Sequence, residues 1–194
     1  MAIIGQKIGP FSLEKRISSS PEKGLFFASK PEGTRNLDSA AIVCLNLDQK
    51  HNDRIQSFER NYHFLNLFRH SNLPGLYQYY SSQHAYARKW VEGIDLGQMI
   101  EAQRIAKISL DLPTVLDIIL ELAHTLQYLS NTGEGYLHGR LNHSHVLLSR
   151  DGDIFLIGLE EHPSGNILEY SSPEQANDAF LDWRSDIWAL GALV

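Results

Sequence analysis

The stretch that decides the fold is Tyr136-Leu-His-Gly-Arg-Leu-Asn-His-Ser-His-Val-Leu-Leu148, a polar loop that runs into a short apolar strand. Three further segments follow it along the chain. They are Asp151-Gly-Asp-Ile-Phe-Leu-Ile-Gly-Leu-Glu160, Tyr170-Ser-Ser-Pro-Glu-Gln-Ala176 and Arg184-Ser-Asp-Ile-Trp-Ala-Leu-Gly191. Any one segment alone would be a weak signal, but their order and spacing together are specific.

These segments resemble the catalytic half of a bacterial Ser/Thr protein kinase, and more narrowly a pseudokinase. The first has the frame of the kinase catalytic loop, H-x-D-L-K-x-x-N, with His138 and Leu141 in place. Arg140 stands at the position of the catalytic Asp, and His145 at that of the metal-binding Asn. Because a guanidinium cannot accept a proton from a substrate hydroxyl, the resemblance implies that no catalytic residue is intact.

The downstream segments have the family's residues at structural positions, but not at one metal-binding position. Gly158 stands at the metal-binding Asp of the D-F-G motif. Glu174 lies in the segment similar to the A-P-E region, where the family pairs this Glu with an Arg near the end of the domain. Asp186 matches the buried Asp of helix F, which accepts N–H bonds from the catalytic loop. The resemblance therefore implies structural roles for His138, Glu174 and Asp186.

Alternating apolar and polar residues predict a strand over Phe11–Ile17, four further short segments are interpreted as strands, and apolar residues at helical spacing predict one helix. The predicted strands are Phe11–Ile17, Gly24–Ala28, Ala40–Leu45, Gly75–Ser81 and Ala85–Val91, and the predicted helix is Asn52–Arg69. The resemblance assigns them to the small lobe of a kinase, with this helix as helix C.

The nucleotide-binding positions of the small lobe are degenerate in this alignment. The glycines of the family's G-x-G-x-x-G loop fall on Ser18, Ser20 and Lys23, whose side chains fill space that the phosphates would need. Val43 stands at the Lys of the V-A-I-K strand, and Asn61 at the Glu of helix C. The Lys–Glu ion pair of the family therefore cannot form.

The segment Trp90–Leu96 resembles the hinge, which in kinases binds adenine through its backbone. The gatekeeper position at the back of the adenine pocket falls near Arg88. Two interpretations remain open here. Arg88 is buried, where it needs a polar partner and blocks the pocket, or the register is off by one and Arg88 points outward.

A strongly periodic helix is predicted over Leu112–Leu129 and matches helix E of kinases. We therefore expect an α+β, protein-kinase-like two-lobe fold over residues 1–194. The expected N-lobe covers residues 1–91. The expected C-lobe, residues 92–194, is partial: it ends in helix F and lacks the C-terminal helices.

Composition excludes several classes of function. The 194 residues are 43% hydrophobic and carry a net charge of −6, which argues against a nucleic-acid surface. The single cysteine, Cys44, permits no internal disulfide and fits a reducing compartment. The sequence shows neither a signal peptide nor an uncharged stretch long enough to span a membrane. We expect a cytoplasmic protein.

Two weaker features concern metals and phosphorylation. His143, His145 and Glu160 could gather near the former metal site, but His is a poor exchange for the oxygen ligands of Mg²⁺, and we expect no metal. Conceivable targets for another kinase are Ser164, Ser171 and Ser172.

The favoured interpretation is an inactive kinase-like module with a regulatory or protein-binding role in signalling. The expected partner is a protein, such as an active kinase or another signalling protein, and ATP and Mg²⁺ are not expected as cofactors. The alternatives are an atypical ATP-dependent Ser/Thr kinase and a decayed kinase fragment without function.

Overall fold

The structure, a computed structural model, describes residues 2–19, 23–30, 39–46, 52–132, 136–159 and 168–193. The chain divides into two compact units. The first comprises residues 1–67 and 74–90, and the second comprises residues 68–73 and 91–194. The division between Trp90 and Val91 lies one residue before the boundary expected from the sequence, and residues 68–73 belong to the second unit.

The first unit contains an antiparallel sheet of six strands in the order β1-β2-β3-β4-β6-β5. The strands are β1 (Lys7–Ile8), β2 (Phe11–Ser19), β3 (Lys23–Ser29), β4 (Ser39–Leu45), β5 (Leu76–Tyr80) and β6 (Ala85–Lys89). Five of them match the predicted strands to within two residues at each end. Strand β1 is too short to show an alternating pattern, so the sequence did not predict it.

The helix of the first unit, α1 (Asn52–Leu65), ends four residues earlier than predicted. The N–H of Leu67 bonds to the carbonyl of Phe64 at 3.0 Å, three residues back, which tightens the last turn into 3₁₀ geometry. Phe68 then begins a part of the second unit and is buried there, with its ring 5.2 Å from that of Tyr136. The helical pattern cannot reveal this change of unit.

Strand β4 divides its side chains between two buried clusters, one on each face of the sheet. Ile42 and Cys44 join Phe26 and other residues on one face. Val43 joins Phe58 and Tyr62 of α1 on the other. Because successive side chains of the strand point to opposite faces, a shift of one residue in register would move each side chain to the other face of the sheet.

The second unit contains a three-stranded antiparallel sheet and four α-helices among the residues described. The strands are β7 (Gly93–Asp95), β8 (Val146–Ser149) and β9 (Ile154–Leu156), and the helices are α2 (Leu96–Ala106), α3 (Leu112–Asn131), α4 (Pro173–Ala176) and α5 (Trp183–Ala192). In the described part of the chain, no helix is both long and apolar enough to cross a membrane.

Helix α2 was not predicted, although the sequence carries a start signal for it. The Asp95 carboxylate accepts a bond from the N–H of Gln98 at 2.8 Å, and the Gln98 side chain accepts one from the N–H of Asp95 at 3.2 Å. This reciprocal arrangement is a capping box. Helix α3 agrees with its prediction, is capped by Asp111, and buries Ile118 and Leu122.

Candidate functional site

The loop over residues 138–145 is fixed to the first turn of α5 by Asp186. One carboxylate oxygen of Asp186 accepts the N–H of His138 and the other accepts the N–H of Gly139, each at 2.7 Å. Asp186 is only 4% exposed. Burial raises its pKa to about 6, and the two N–H donors act in the opposite direction because they favour the ionised form.

His138 fixes the same loop through its ring. Its Nδ1 atom accepts the N–H of Arg140 at 3.2 Å, so Nε2 carries the proton and donates to the carbonyl of Ile157 at 2.8 Å. The ring is 1% exposed. These bonds connect the loop to the segment that contains Gly158, and they need a neutral imidazole.

A second set of contacts connects the loop to α4, and α4 to α5. The Gln175 side chain donates to the carbonyl of Gly139 at 2.6 Å, and the Ser185 hydroxyl donates to Glu174 at 3.2 Å. Ser172 is fully buried and caps α4, where its hydroxyl accepts the N–H of Gln175. This burial and capping explain Ser172 structurally. Ser171 is half-buried, and Ser164 lies outside the described residues.

Arg140 occupies the loop position that matches the catalytic Asp in the resemblance to kinases. Its side chain is half-buried, and its carbonyl accepts bonds from the Asn142 amide at 2.9 Å and from His145 Nδ1 at 2.7 Å. The Asn142 side chain also accepts the N–H of Ser144 at 2.9 Å. Asn142 falls on the Lys position of the frame H-x-D-L-K-x-x-N, and its role was not predicted from the sequence.

The two positions that match metal ligands in the family lie in contact with each other. His145 is 8% exposed, and its Nδ1 donates to the carbonyl of Arg140. The other edge of the ring lies against Gly158. A Cβ built at Gly158 would be 2.8 Å from Cδ2 and 2.9 Å from Nε2 of His145. The φ angle of +91° at Gly158 also disfavours any other residue.

His143 has partners that differ from those of His145. His143 Nδ1 lies 2.7 Å from the hydroxyl of Tyr170, and its ring closely approaches Gly97 of α2. Glu160 lies outside the described residues. Within the described ranges, no group of three His, Cys, Asp or Glu side chains is arranged to hold a metal ion.

In the first unit, Val43 lies where the resemblance calls for the phosphate-binding Lys. It is 2% exposed and packs in the cluster with Phe58, Tyr62 and Tyr86. The neighbours of Val43 in β4 face the other side of the sheet, so the position opposite α1 belongs to Val43. Asn61 is half-buried on α1, next to Tyr62.

The three glycine positions of the family's loop have different surroundings. Ser18 is exposed and pairs with Leu25 beside an irregularity in the β2–β3 register. Ser20 lies outside the described residues. The Lys23 ammonium lies 5.8 Å from the centre of the Phe58 ring, within range of a cation–π contact.

Arg88 is buried rather than directed outward, so the interpretation in which its side chain is exposed is wrong, and blockage of the adenine pocket stays a prediction. It is 6% exposed and lies opposite Ala41 of β4. Directly opposed residues share a face of an antiparallel sheet, so Arg88 lies on the face that also carries Val43 and Tyr86.

Comparison with curated proteins gives plant relatives. Pollen receptor-like kinase 2 of Arabidopsis thaliana is 26% identical over 201 residues, which cover 96% of this chain and 31% of that protein. Pollen receptor-like kinase 1 of the same plant is 28% identical over 168 residues, which cover 79% of this chain and 25% of the relative. The chain thus spans less than a third of the length of these two relatives.

Comparison with solved structures gives the fold. The PknI kinase domain of Mycobacterium tuberculosis superposes with a TM-score of 0.72 at 22% identity, covering 98% of this chain and 72% of that one. A second crystal structure of the same domain gives a TM-score of 0.72 and covers 74% of its chain. The predicted α+β, protein-kinase-like two-lobe fold is confirmed.

The family follows from a third comparison. Residues 26–194 match the family model of protein tyrosine and serine/threonine kinases. The relatives include plant proteins and the structures are mycobacterial, so the bacterial character suggested by Tyr170–Ala176 stays a prediction. With most of its length matched, the chain belongs to the protein tyrosine and serine/threonine kinase family.

Proposed function

We propose that this chain is a catalytically inactive kinase-like module that acts in signalling by binding a protein partner. The observation that carries the proposal is the contact between His145 and Gly158. In the family, these two positions supply the oxygen ligands of the metal ions. Here an imidazole fills the space above a residue that has no side chain.

The second support is the chemistry at Arg140. Phosphoryl transfer to a hydroxyl uses a carboxylate that accepts the hydroxyl proton, and a guanidinium stays protonated at every physiological pH. Arg140 can attract a phosphate by its charge. Attraction without a base or a metal ion is binding and not transfer.

The third support comes from Val43 in the first unit. An ammonium at this position would enter a cluster of three aromatic rings, where an unpaired charge is costly. Val43 therefore fits its surroundings, and those surroundings do not favour a phosphate-binding Lys. The degenerate positions in both units therefore support an inactive kinase-like module.

A binding role, rather than decay, is supported by the contacts that the loop retains. Asp186, His138 and Gln175 still hold the loop through bonds of 2.6 to 2.8 Å. A chain without any function would be free to lose them. Cys44 is buried, and burial raises its thiol pKa to about 12, so it is an inert thiol that suits the cytoplasmic location in this proposal.

A thermal-shift titration tests the proposal against the alternative of an atypical kinase. The chain is titrated with ATP in the presence of Mg²⁺, Mn²⁺ or EDTA, and the midpoint of unfolding is followed. Bound nucleotide raises the midpoint by mass action. We expect no metal-dependent rise. A saturable rise that EDTA abolishes would favour the atypical kinase instead.

A further inference from the structure

Residues 68–73, which connect α1 to β5 in the sequence, belong to the second unit and are bonded to two of its elements. The N–H of Arg69 donates to the hydroxyl of Tyr128 on α3 at 2.8 Å. The carbonyl of Asn72 accepts the N–H of Leu156 on β9 at 2.8 Å. The backbone of this connecting segment is therefore fixed against both α3 and β9.

The side chain of Asn72 contacts the same two elements. Its amide donates to the carbonyl of Ile154 on β9 at 2.9 Å and to the carboxylate of Glu121 on α3 at 3.0 Å. Asn72 is 7% exposed. Because a buried amide without partners is costly, the segment keeps this position only while its hydrogen bonds are intact.

The ring of His70 takes part in this hydrogen-bond arrangement. Its Nδ1 atom accepts the N–H of Asn72 at 3.3 Å, and its ring centre lies 5.0 Å from that of Tyr128. A ring nitrogen that accepts a hydrogen bond carries no proton, so the arrangement requires a neutral imidazole. Protonation would turn Nδ1 into a donor that faces another donor.

Among the described residues, three ionisable side chains of α3 face His70. Glu121 and His124 act on it by their charges, and Tyr128 contacts its ring. Strand β9 carries no ionisable side chain. Within the segment, the guanidinium of Arg69 donates to the backbone carbonyl one residue before it at 2.7 Å. The cluster thus consists of two imidazoles that share one carboxylate.

The pKa of His70 follows from these surroundings. Burial lowers it below the ordinary value of about 6.5, Glu121 raises it, and His124 lowers it further. The native state therefore holds this proton less tightly than the unfolded state does. The contribution of neutral His70 to stability is complete above the unfolded pKa and is lost as the pH falls through the native pKa.

We propose that the connecting segment is a proton-sensitive latch, in which neutral His70 holds residues 69–72 against α3 and β9 and charged His70 releases them. Phe68 and Leu73, at the two ends of the segment, are buried, so the opening is local. The inference goes beyond the proposed function and is independent of it, because none of these residues stands at a position assigned to phosphoryl transfer.

Amide hydrogen exchange, followed by NMR on the whole chain, tests the latch. Protection factors, which correct for the intrinsic effect of pH on exchange, are compared at about pH 7.5 and about pH 5.5, on either side of the ordinary histidine pKa. The amides of Arg69 and Leu156 should lose protection about threefold or more at the lower pH. The amide of Leu122, in the interior of α3, should change less than about twofold.

His70→Asn is the central variant. An asparagine side chain can accept the N–H two residues further along the chain, and it cannot gain a proton. This variant should keep the segment in place at both pH values and abolish the loss of protection. His63→Gln is the matched control, because it removes an exposed histidine of α1 and should leave the loss unchanged. Circular dichroism at the higher pH checks that both variants are folded.

Two variants of α3 test the electrostatic part of the inference. His124→Gln removes a repulsive charge, so it should raise the pKa of His70 and reduce the loss of protection. Glu121→Gln removes an attractive charge, so it should lower that pKa and increase the loss. The new amide oxygen can still accept the bond from Asn72. An NMR titration of the His70 ring measures both shifts.

Four results would overturn the inference. The same loss of protection in His70→Asn would assign the effect to another group. Full protection at the lower pH with a charged His70 ring would show that the charge does not release the segment. A ring that stays neutral at the lower pH would show that the segment does not respond in this range. An equal loss at Leu122 would show general unfolding instead of local release.

Discussion

The imidazole of His145 lies against Gly158 so closely that a Cβ at residue 158 would be 2.8 Å from the ring. The space that each residue occupies depends on the other residue. A side chain at 158 would displace the ring, and the bare glycine leaves space that the ring fills. Because these two residues fit one another, we expect that restoring the family's residue at only one of the two positions would be unfavourable.

Gly158→Asp should destabilise the chain more than Gly152→Asp. Both glycines have nearly equal positive φ angles, +91° and +89°, but a Cβ at Gly152 meets nothing within 4 Å. The backbone strain is thus shared, at about 1–2 kcal/mol, and the clash with His145 adds about 1–2 kcal/mol at Gly158. Urea unfolding measures both costs. Equal costs would show that the ring of His145 does not exclude a side chain.

The double variant His145→Ala with Gly158→Asp separates the clash from other effects. Removing the ring should recover about 1–2 kcal/mol of the cost of Gly158→Asp, measured as the coupling in a double-mutant cycle. Strict additivity of the two substitutions would contradict the account.

Val43→Lys should unfold or strongly destabilise the first unit. The new ammonium would lie among Phe58, Tyr62 and Tyr86 without the family's Glu. An unpaired buried charge costs about 3 kcal/mol or more. Ile17→Lys is the matched control, since Ile17 is 43% exposed in the same sheet and should cost less than about 0.5 kcal/mol. A Val43→Lys protein as stable as the control would mean that position 43 can accept the catalytic Lys.

Asp186→Asn should free one of the two N–H groups of the loop, at a cost of about 1–3 kcal/mol at neutral pH. The pH dependence has a defined sign. Because burial raises the pKa of Asp186 to about 6, the native state holds this proton more tightly than the unfolded state does. The contribution of Asp186 is therefore largest below the unfolded pKa and falls as the pH rises through about 6.

Denaturation at several pH values between about 4 and 7 checks this sign. The wild-type chain should lose stability with rising pH relative to Asp186→Asn, which has no carboxyl to ionise. A wild-type stability that rises relative to the variant over this window would mean that the two N–H bonds outweigh burial and lower the pKa.

Tyr170→Phe should remove the hydrogen bond to His143 and cost about 0.5–1.5 kcal/mol. In a His143→Gln background the same substitution should cost less, because the partner ring is already absent. Chemical denaturation of the four proteins of this cycle gives the coupling. A coupling of zero would show that the 2.7 Å contact contributes nothing to stability.

Much of the fold could be predicted because its signals are local. The resemblance placed Val43 opposite helix C, and Val43 packs against α1. It assigned structural positions to His138 in the loop and to Asp186, whose carboxylate accepts the N–H of His138. Helix α2 was missed although the capping residues Asp95 and Gln98 are visible in the sequence.

The contact between His145 and Gly158 could not be predicted in the same way. It depends on a positive φ angle, on the rotamer of the ring and on the tautomer fixed by the Arg140 carbonyl. Twelve residues of sequence lie between the two positions, and no pattern of residue types encodes their approach. The burial of Arg88 likewise required the strand register, because a shift of one residue reverses the direction of a side chain.

The most direct test of the central claim is transfer of the labelled γ-phosphate of ATP, measured with Mg²⁺ or Mn²⁺ on the chain itself and on a general protein substrate. An inactive module should show no incorporation above the level of a metal-free control. Metal-dependent incorporation that copurifies with the folded chain, and that changes when Arg140 is replaced by Ala, would contradict this claim.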